Sequence, residues 1–151
     1  MNVPRDYEEF FALLNAQKVK YLIIGAYALA YHGCPRYTGD IDIFISTKPN
    51  NVIKILTTIE SFGFKDIGIT EKDFRKSDNI IQLGYPPLRI DLVMKIDGVS
   101  FETAWKNRVE GFFGKQKVFY ISKKDFIKNK KVTGRAKDKL DIELLLGNLK
   151  K

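Results

Sequence analysis

The chain has 151 residues, 44% of them hydrophobic and 13% aromatic, with 26 Lys and Arg against 18 Asp and Glu for a net charge of +8. That is enough apolar material for one folded domain spanning residues 1–151, and it excludes a disordered or low-complexity chain. A single cysteine, Cys34, excludes an intrachain disulfide, and the apolar run Tyr21–Tyr31, 11 residues long, falls short of the about 20 that a membrane helix needs. Met1–Asp6 is polar and lacks the apolar core of a signal peptide, so no membrane association and a cytoplasmic location are expected.

In chain order, Asp6 and Glu9 have capping-box spacing, and Tyr7, Phe10, Phe11 and Leu14 fall on one helical stripe. Lys20–Ile24 is a short apolar run that halts at Gly25 and reads as a strand. Ala26–Tyr31 reads as a short helix ending near Gly33, with Pro35 beyond it. Asp40–Ile45 alternates acidic and large apolar residues, the period of a strand with two different faces. Asn51–Phe62 is helical, with Val52, Ile55, Leu56 and Ile59 on one stripe. Strands are predicted at Asn79–Leu83, Leu88–Met94 and Val118–Ile121, a turn at Ile96–Val99 and a short helix at Ser100–Asn107. Ser122 is placed to cap a helix through the lysine-rich segment, and Asp138–Leu149 reads as an apolar C-terminal helix. Strands and helices mix without strict alternation, so the class is α+β, a mixed sheet flanked by helices with a helical C-terminus.

The residues with chemical meaning begin at Asp40 and Asp42. On a strand, residues i and i+2 share a face, so the two carboxylates project together while Ile41, Ile43 and Ile45 point the other way. Paired carboxylates repel and raise each other's pKa unless a cation lies between them. A hard divalent ion resolves that, since Mg²⁺ takes carboxylate oxygens and leaves sites for substrate phosphates. The plainer alternative is a strand edge in water, with the acids paired to Arg36. Gly25 closes a strand and opens a helix, so the N–H groups of Ala26 and Tyr27 make a place for phosphate or merely a tight turn. Asp91 in "LRIDLVM" interrupts an apolar strand on its opposite face, and either completes the acidic site or pairs with Arg89.

Lys123–Lys139 carries eight basic residues against two acids, a phosphate-binding patch or a solvated face. His32, the only histidine, reads as a packed or capping side chain. Trp105, Phe10, Phe11, Phe112 and Phe113 read as core or interface. One His and one Cys cannot build a zinc site, and no P-loop, GxGxxG or GxSxG is present.

A strand ending in glycine, a short helix, Asp-x-Asp on the next strand and a lone Asp on a later one together resemble the nucleotidyltransferase superfamily of the DNA polymerase β type. Gly25, His32-Gly33, Arg36, Thr38, Asp40 and Asp42 resemble, in order, the central run of small bacterial nucleotidyltransferase-like proteins related to the AbiEii toxins. Gly134–Leu145 ("GRAKDKLDIELL") resembles their closing helix. One position departs: the family's second glycine or serine is Ala26 here, so a hydroxyl contact to phosphate is missing while the backbone N–H stays.

The resemblance implies a nucleotidyltransferase fold and transfer of a nucleoside monophosphate from an NTP such as ATP to a hydroxyl acceptor. It implies that Asp40, Asp42 and Asp91 hold Mg²⁺ (or Mn²⁺) and that Asp91 also helps deprotonate the acceptor. Gly25, Ala26, Tyr27, Arg36, Thr38 and Lys137 would meet the nucleotide, and Arg135 would steady phosphates or remain surface charge. The acceptor would be tRNA, a protein or a small molecule. A short chain leaves little room for an acceptor domain, so a homodimer or a partner protein would complete the cleft. The alternative is a catalytically weak binding module, such as a toxin–antitoxin component that binds a partner protein or RNA. A weaker third reading is a plain RNA-binding module using the lysine segment, which needs no Mg²⁺.

Overall fold

The structure, a computed structural model, describes residues 3–64 and 67–147. Six strands form one mixed sheet: β1 Tyr21–Ile24, β2 Asp40–Ile45, β3 Ile80–Leu83, β4 Arg89–Val93, β5 Val109–Phe113 and β6 Gln116–Tyr120. Their spatial order is β3-β4-β2-β1-β6-β5. β2 and β4 run parallel, as do β1 and β6, and the other neighbours are antiparallel. The helices are α1 Arg5–Ala16, α2 Gly25–Tyr31, α3 Pro49–Ser61, α4 Phe101–Lys106, α5 Lys123–Thr133 and α6 Ala136–Leu145, with a 3-10 turn at Glu71–Arg75. This is the expected α+β arrangement with a mixed sheet and a helical end. Among the described residues no helix is long and apolar enough to cross a membrane.

The alternation in β2 and β4 divides the two faces of the sheet. Ile41, Ile43, Ile45, Ile90 and Leu92 join Tyr7, Phe10, Phe11 and Leu14 of α1 and Val52, Ile55 and Ile59 of α3 in the main core. Burying each such side chain contributes about 1.5–3 kcal/mol. On the opposite face Leu22 and Phe44 pack with Val99, Phe101 and Ala104 in a smaller cluster. Apolar residues thus cover only one end of that face. At the other end stand the polar side chains of β2 and β4. Asn51 ties α3 to the sheet, accepting from the Lys20 N–H at 2.7 Å and donating to the Ser46 carbonyl at 2.8 Å.

Several boundaries differ from the sequence reading for identifiable reasons. α1 begins at Arg5 behind Pro4 and has no side-chain cap, so the Asp6–Glu9 capping box does not form. α3 begins at Pro49, whose fixed φ suits a first helical position. The lysine-rich helix does start at Ser122, whose hydroxyl accepts from the Asp125 N–H at 3.1 Å. It ends at Gly134, which is left-handed at φ 66° and starts the turn into α6. β5 has no strong sequence signal, because Gly111 and the exposed Phe112 hide its alternation. Residues 148 and 149 of the expected C-terminal helix lie outside the described residues.

Candidate metal and nucleotide site

The parallel pairing of β2 with β4 sets Asp42 opposite Asp91 and Asp40 opposite Arg89. Paired residues share a face, so register alone brings the three carboxylates together. One oxygen from each lies within 4.8 Å of the others. In the antiparallel pair on the other side of β2, Asp42 faces Ile24, the last residue of β1. The next residue is Gly25, at φ 67°, where any Cβ would collide with Asp42 Oδ2. Only glycine fits there. The start of α2 therefore abuts the carboxylates, and the two segments singled out in the sequence do meet in space. Ala26 and Tyr27 follow in the first helical turn, whose N–H groups have no intrahelical acceptor.

Thr38 lies in the loop before β2, and its hydroxyl donates to Asp40 Oδ1 at 3.0 Å. It orients the first carboxylate. Arg89 binds two of the three acids. Its Nε donates to Asp91 Oδ1 at 2.8 Å and its Nη2 to Asp91 Oδ2 at 2.9 Å, while Nη2 also reaches Asp40 Oδ2 at 2.8 Å. The Tyr7 hydroxyl donates to the Arg89 carbonyl at 3.0 Å, anchoring the start of β4 to α1.

One arginine does not balance three carboxylates. Burial pushes the Asp42 carboxyl up, Asp40 and Asp91 push it further, and Lys130 and Arg89 oppose them, leaving it at about 6 against an ordinary 3.8. Tyr27 is raised as well, by burial, by Asp40 and by Tyr37, so its hydroxyl stays protonated. The three carboxylates supply hard oxygen donors with a surplus of negative charge, the glycine leaves open approach at Asp42, and a guanidinium already bridges two of the acids. These features fit Mg²⁺ or Mn²⁺, and Asp40, Asp42 and Asp91 are the residues that could hold one.

The other sequence candidates are placed differently. Arg36 donates to the buried Asp141 of α6 at 3.0 Å rather than pairing with Asp40 or Asp42. Lys137 is exposed on α6 with no ion pair among the described residues. Arg135 and Lys130 both pair with Asp138, at 2.8 and 3.5 Å. The lysine segment therefore commits two of its cations to the buried Asp138, Lys130 from within the fold and Arg135 from the surface. His32 Nε2 contacts the Ile121 carbonyl at 2.8 Å and is a packed side chain. Phe112 is 66% exposed, unlike Phe10, Phe11 and Phe113.

Sequence reasoning named Arg89 only as a partner for Asp91. The missing signal was register, which alone shows that Arg89 also faces Asp40. Lys130 was lost among its neighbours in a lysine-rich run, although Phe126 and Asp138 hold its ammonium close to the fold.

Over residues 3–146 the chain matches the family described as nucleotidyltransferase of unknown function (DUF6036). The chain belongs to that family. No curated protein matches it. The family's description names a nucleotidyltransferase, and the three carboxylates are a group that could bind a metal ion.

Proposed function

We propose that the chain is a Mg²⁺-dependent nucleotidyltransferase that moves a nucleoside monophosphate from an NTP to a hydroxyl acceptor. The observation that carries this reading is the convergence of Asp40, Asp42 and Asp91 within 4.8 Å, beside the glycine that opens α2. A divalent ion bound there neutralises the phosphates and the charge that develops on transfer. The chain's own residues do the rest. Thr38 fixes Asp40, the backbone N–H groups of Ala26 and Tyr27 meet phosphate oxygens, and Asp91 takes the acceptor proton. Arg36 and Lys137 add positive charge on the loop and on α6. Arg89, which bridges Asp40 and Asp91, would have to release those carboxylates for them to hold an ion.

The donor is ATP or another NTP. AbiEii-like action on tRNA within a toxin–antitoxin pair, in the cytoplasm and with a homodimer or a partner protein closing the cleft, is a narrower form of the same reading. The second reading is a binding module with weak or no catalysis, favoured by Arg89, which already bridges Asp40 and Asp91.

Calorimetric titration of ATP with and without Mg²⁺, on the wild-type chain and on Asp42→Asn, separates the two. Mg²⁺-dependent binding abolished by the substitution supports the transferase. Absence of NTP binding under both conditions removes it.

A further inference from the structure

The parallel pairing of β1 with β6 builds a cleft at the end of the sheet far from the carboxylates. Ile23 pairs with Tyr120, and both side chains enter the main core. Strand alternation turns Leu22 and Phe119 to the other face, with Lys20 and Lys117 two positions earlier on that same side. Trp105 of α4 joins them there, its ring 5.2 Å from that of Phe119 and 5.9 Å from Lys20 Nζ. With Lys18 and Gln116 these residues line a cleft of about 500 Å³, within the range of ordinary small-molecule sites. Five steps of extended chain, about 16 Å, separate Lys20 from Gly25 at the carboxylates.

The cleft is positive and aromatic at once. Lys18, Lys20 and Lys117 are exposed, and no acidic side chain is among the residues that line it. Glu110 pairs with Lys117 at 3.1 Å, whereas Lys18 and Lys20 form no ion pair among the described residues. Arg108, 4.0 Å from the centre of the Trp105 ring, adds a further charge beside the aromatic wall. Lys18 is also the one non-glycine residue with a positive φ, 58°, among the described residues, and it lies in the turn that ends α1. Glycine is the usual residue at such a turn, so a lysine there bears a strain that glycine avoids. Gln116 donates to the Lys117 carbonyl at 3.3 Å, and its Oε1 accepts nothing among the described residues. A carboxamide oxygen is suited to the amino group of a base.

We propose that this cleft binds a nucleotide, free or within a single strand of RNA, at a site separate from the carboxylates. Trp105 and Phe119 offer apolar ring surface to the base, and Gln116 offers an acceptor to its amino group. Lys18 and Lys20 bring unpaired ammonium groups to the phosphate. An anion without a ring leaves the aromatic wall unused, and a neutral nucleoside leaves the lysines unused. Binding here stands apart from the transferase reading, because it needs no metal and no acid of β2 or β4.

Trp105 is the only tryptophan of the chain, so its fluorescence reports on this cleft. The full chain is titrated with AMP, adenosine, inorganic phosphate and a short oligoadenylate, in EDTA so that no divalent ion draws the ligand to the carboxylates. AMP is expected to change the Trp105 emission saturably, and to bind at least about tenfold more tightly than adenosine or inorganic phosphate. Lys18→Gly, which suits the left-handed backbone, and Lys20→Ala, at an exposed position, are each expected to weaken AMP by about tenfold. Asp42→Asn is expected to leave the AMP affinity within about twofold. Tighter binding of the oligoadenylate than of AMP assigns the site to RNA, and equal or weaker binding assigns it to the free nucleotide. The proposal is overturned if neither AMP nor the oligoadenylate gives a saturable change, or if adenosine or phosphate binds as tightly as AMP. Unchanged affinity in both lysine variants overturns it too. Loss of the AMP signal in Asp42→Asn places the ligand at the carboxylates and has the same consequence.

Discussion

Asp138 and the Asp40–Asp42–Asp91 group have opposite surroundings. Asp138, at the junction of α5 and α6, is fully buried and surrounded by donors: Arg135 at 2.8 Å, the Thr133 hydroxyl at 2.6 Å and Lys130 at 3.5 Å. Its hydrogen bond from Arg135, aided by Thr133 and Lys130, holds its carboxyl well below the usual carboxylate range. Asp42 has two further acids beside it, and its carboxyl is pushed up to about 6. The first carboxylate is closed in by donors and cations, which is the pattern of a structural pin. The second has one bonded guanidinium for three carboxylates, a surplus of negative charge that suits a cation.

The sharpest way to break that comparison is to remove a carboxylate from the open group. Asp40→Asn or Asp91→Asn is expected to lower Mn²⁺ affinity by more than about 100-fold, since even residues that merely support metal ligands cost about 10–100-fold. Titration followed by electron paramagnetic resonance reads this directly. An unchanged affinity would move the ion elsewhere.

The matching change in the closed group is Asp138→Asn. It leaves Lys130 and the α5–α6 turn without their anchor and is expected to cost about 2–4 kcal/mol in urea unfolding. Metal affinity of the folded fraction should stay at the wild-type level. Because the Asp138 carboxyl is depressed in the fold, its contribution is present above the ordinary 3.8 and is lost as pH falls below it.

Asp42→Asn should act in the reverse direction on the metal-free chain. A carboxyl raised from 3.8 to about 6 is bound to its proton more tightly folded than unfolded, so Asp42 lowers stability as pH rises through that window. The Asn variant should be more stable by about 1–2 kcal/mol near neutral pH, with the difference vanishing below pH about 4. Urea midpoints at several pH values check the sign. By the same protonation, wild-type Mn²⁺ affinity should fall by up to about tenfold for each pH unit below about 6.

The smallest effect is expected at Lys137. Lys137 is exposed with no ion pair among the described residues, so Lys137→Ala should change stability by less than about 0.5 kcal/mol. Weaker ATP binding without a stability change would tie it to phosphate.

How far the sequence carried the account depends on the scale of the interaction. Asp40 and Asp42 announce themselves because strand period puts both on one face, and Asp91 because it breaks an apolar run. Gly25 is legible as a strand-to-helix turn, although its close approach to Asp42 comes only from the β1–β2 pairing. The double role of Arg89 is a product of register, which no local pattern encodes. β5 escaped notice because it pairs at an edge and carries Gly111, whose missing Cβ makes room for the ring of Tyr31. The partners of Arg36, Lys130 and Arg135 are acids on α6, and a run of lysines does not say which cation meets which acid.

The central claim is that the open acidic group holds a divalent cation. The most direct measurement is nuclear magnetic resonance of the isotope-labelled chain with substoichiometric Mn²⁺, whose paramagnetism broadens signals close to the ion. The account predicts selective broadening of the amide signals of Gly25, Asp40, Asp42 and Asp91, abolished in Asp42→Asn. Broadening centred on the exposed acids of the Glu71–Arg75 turn, or spread evenly over the surface, would contradict it.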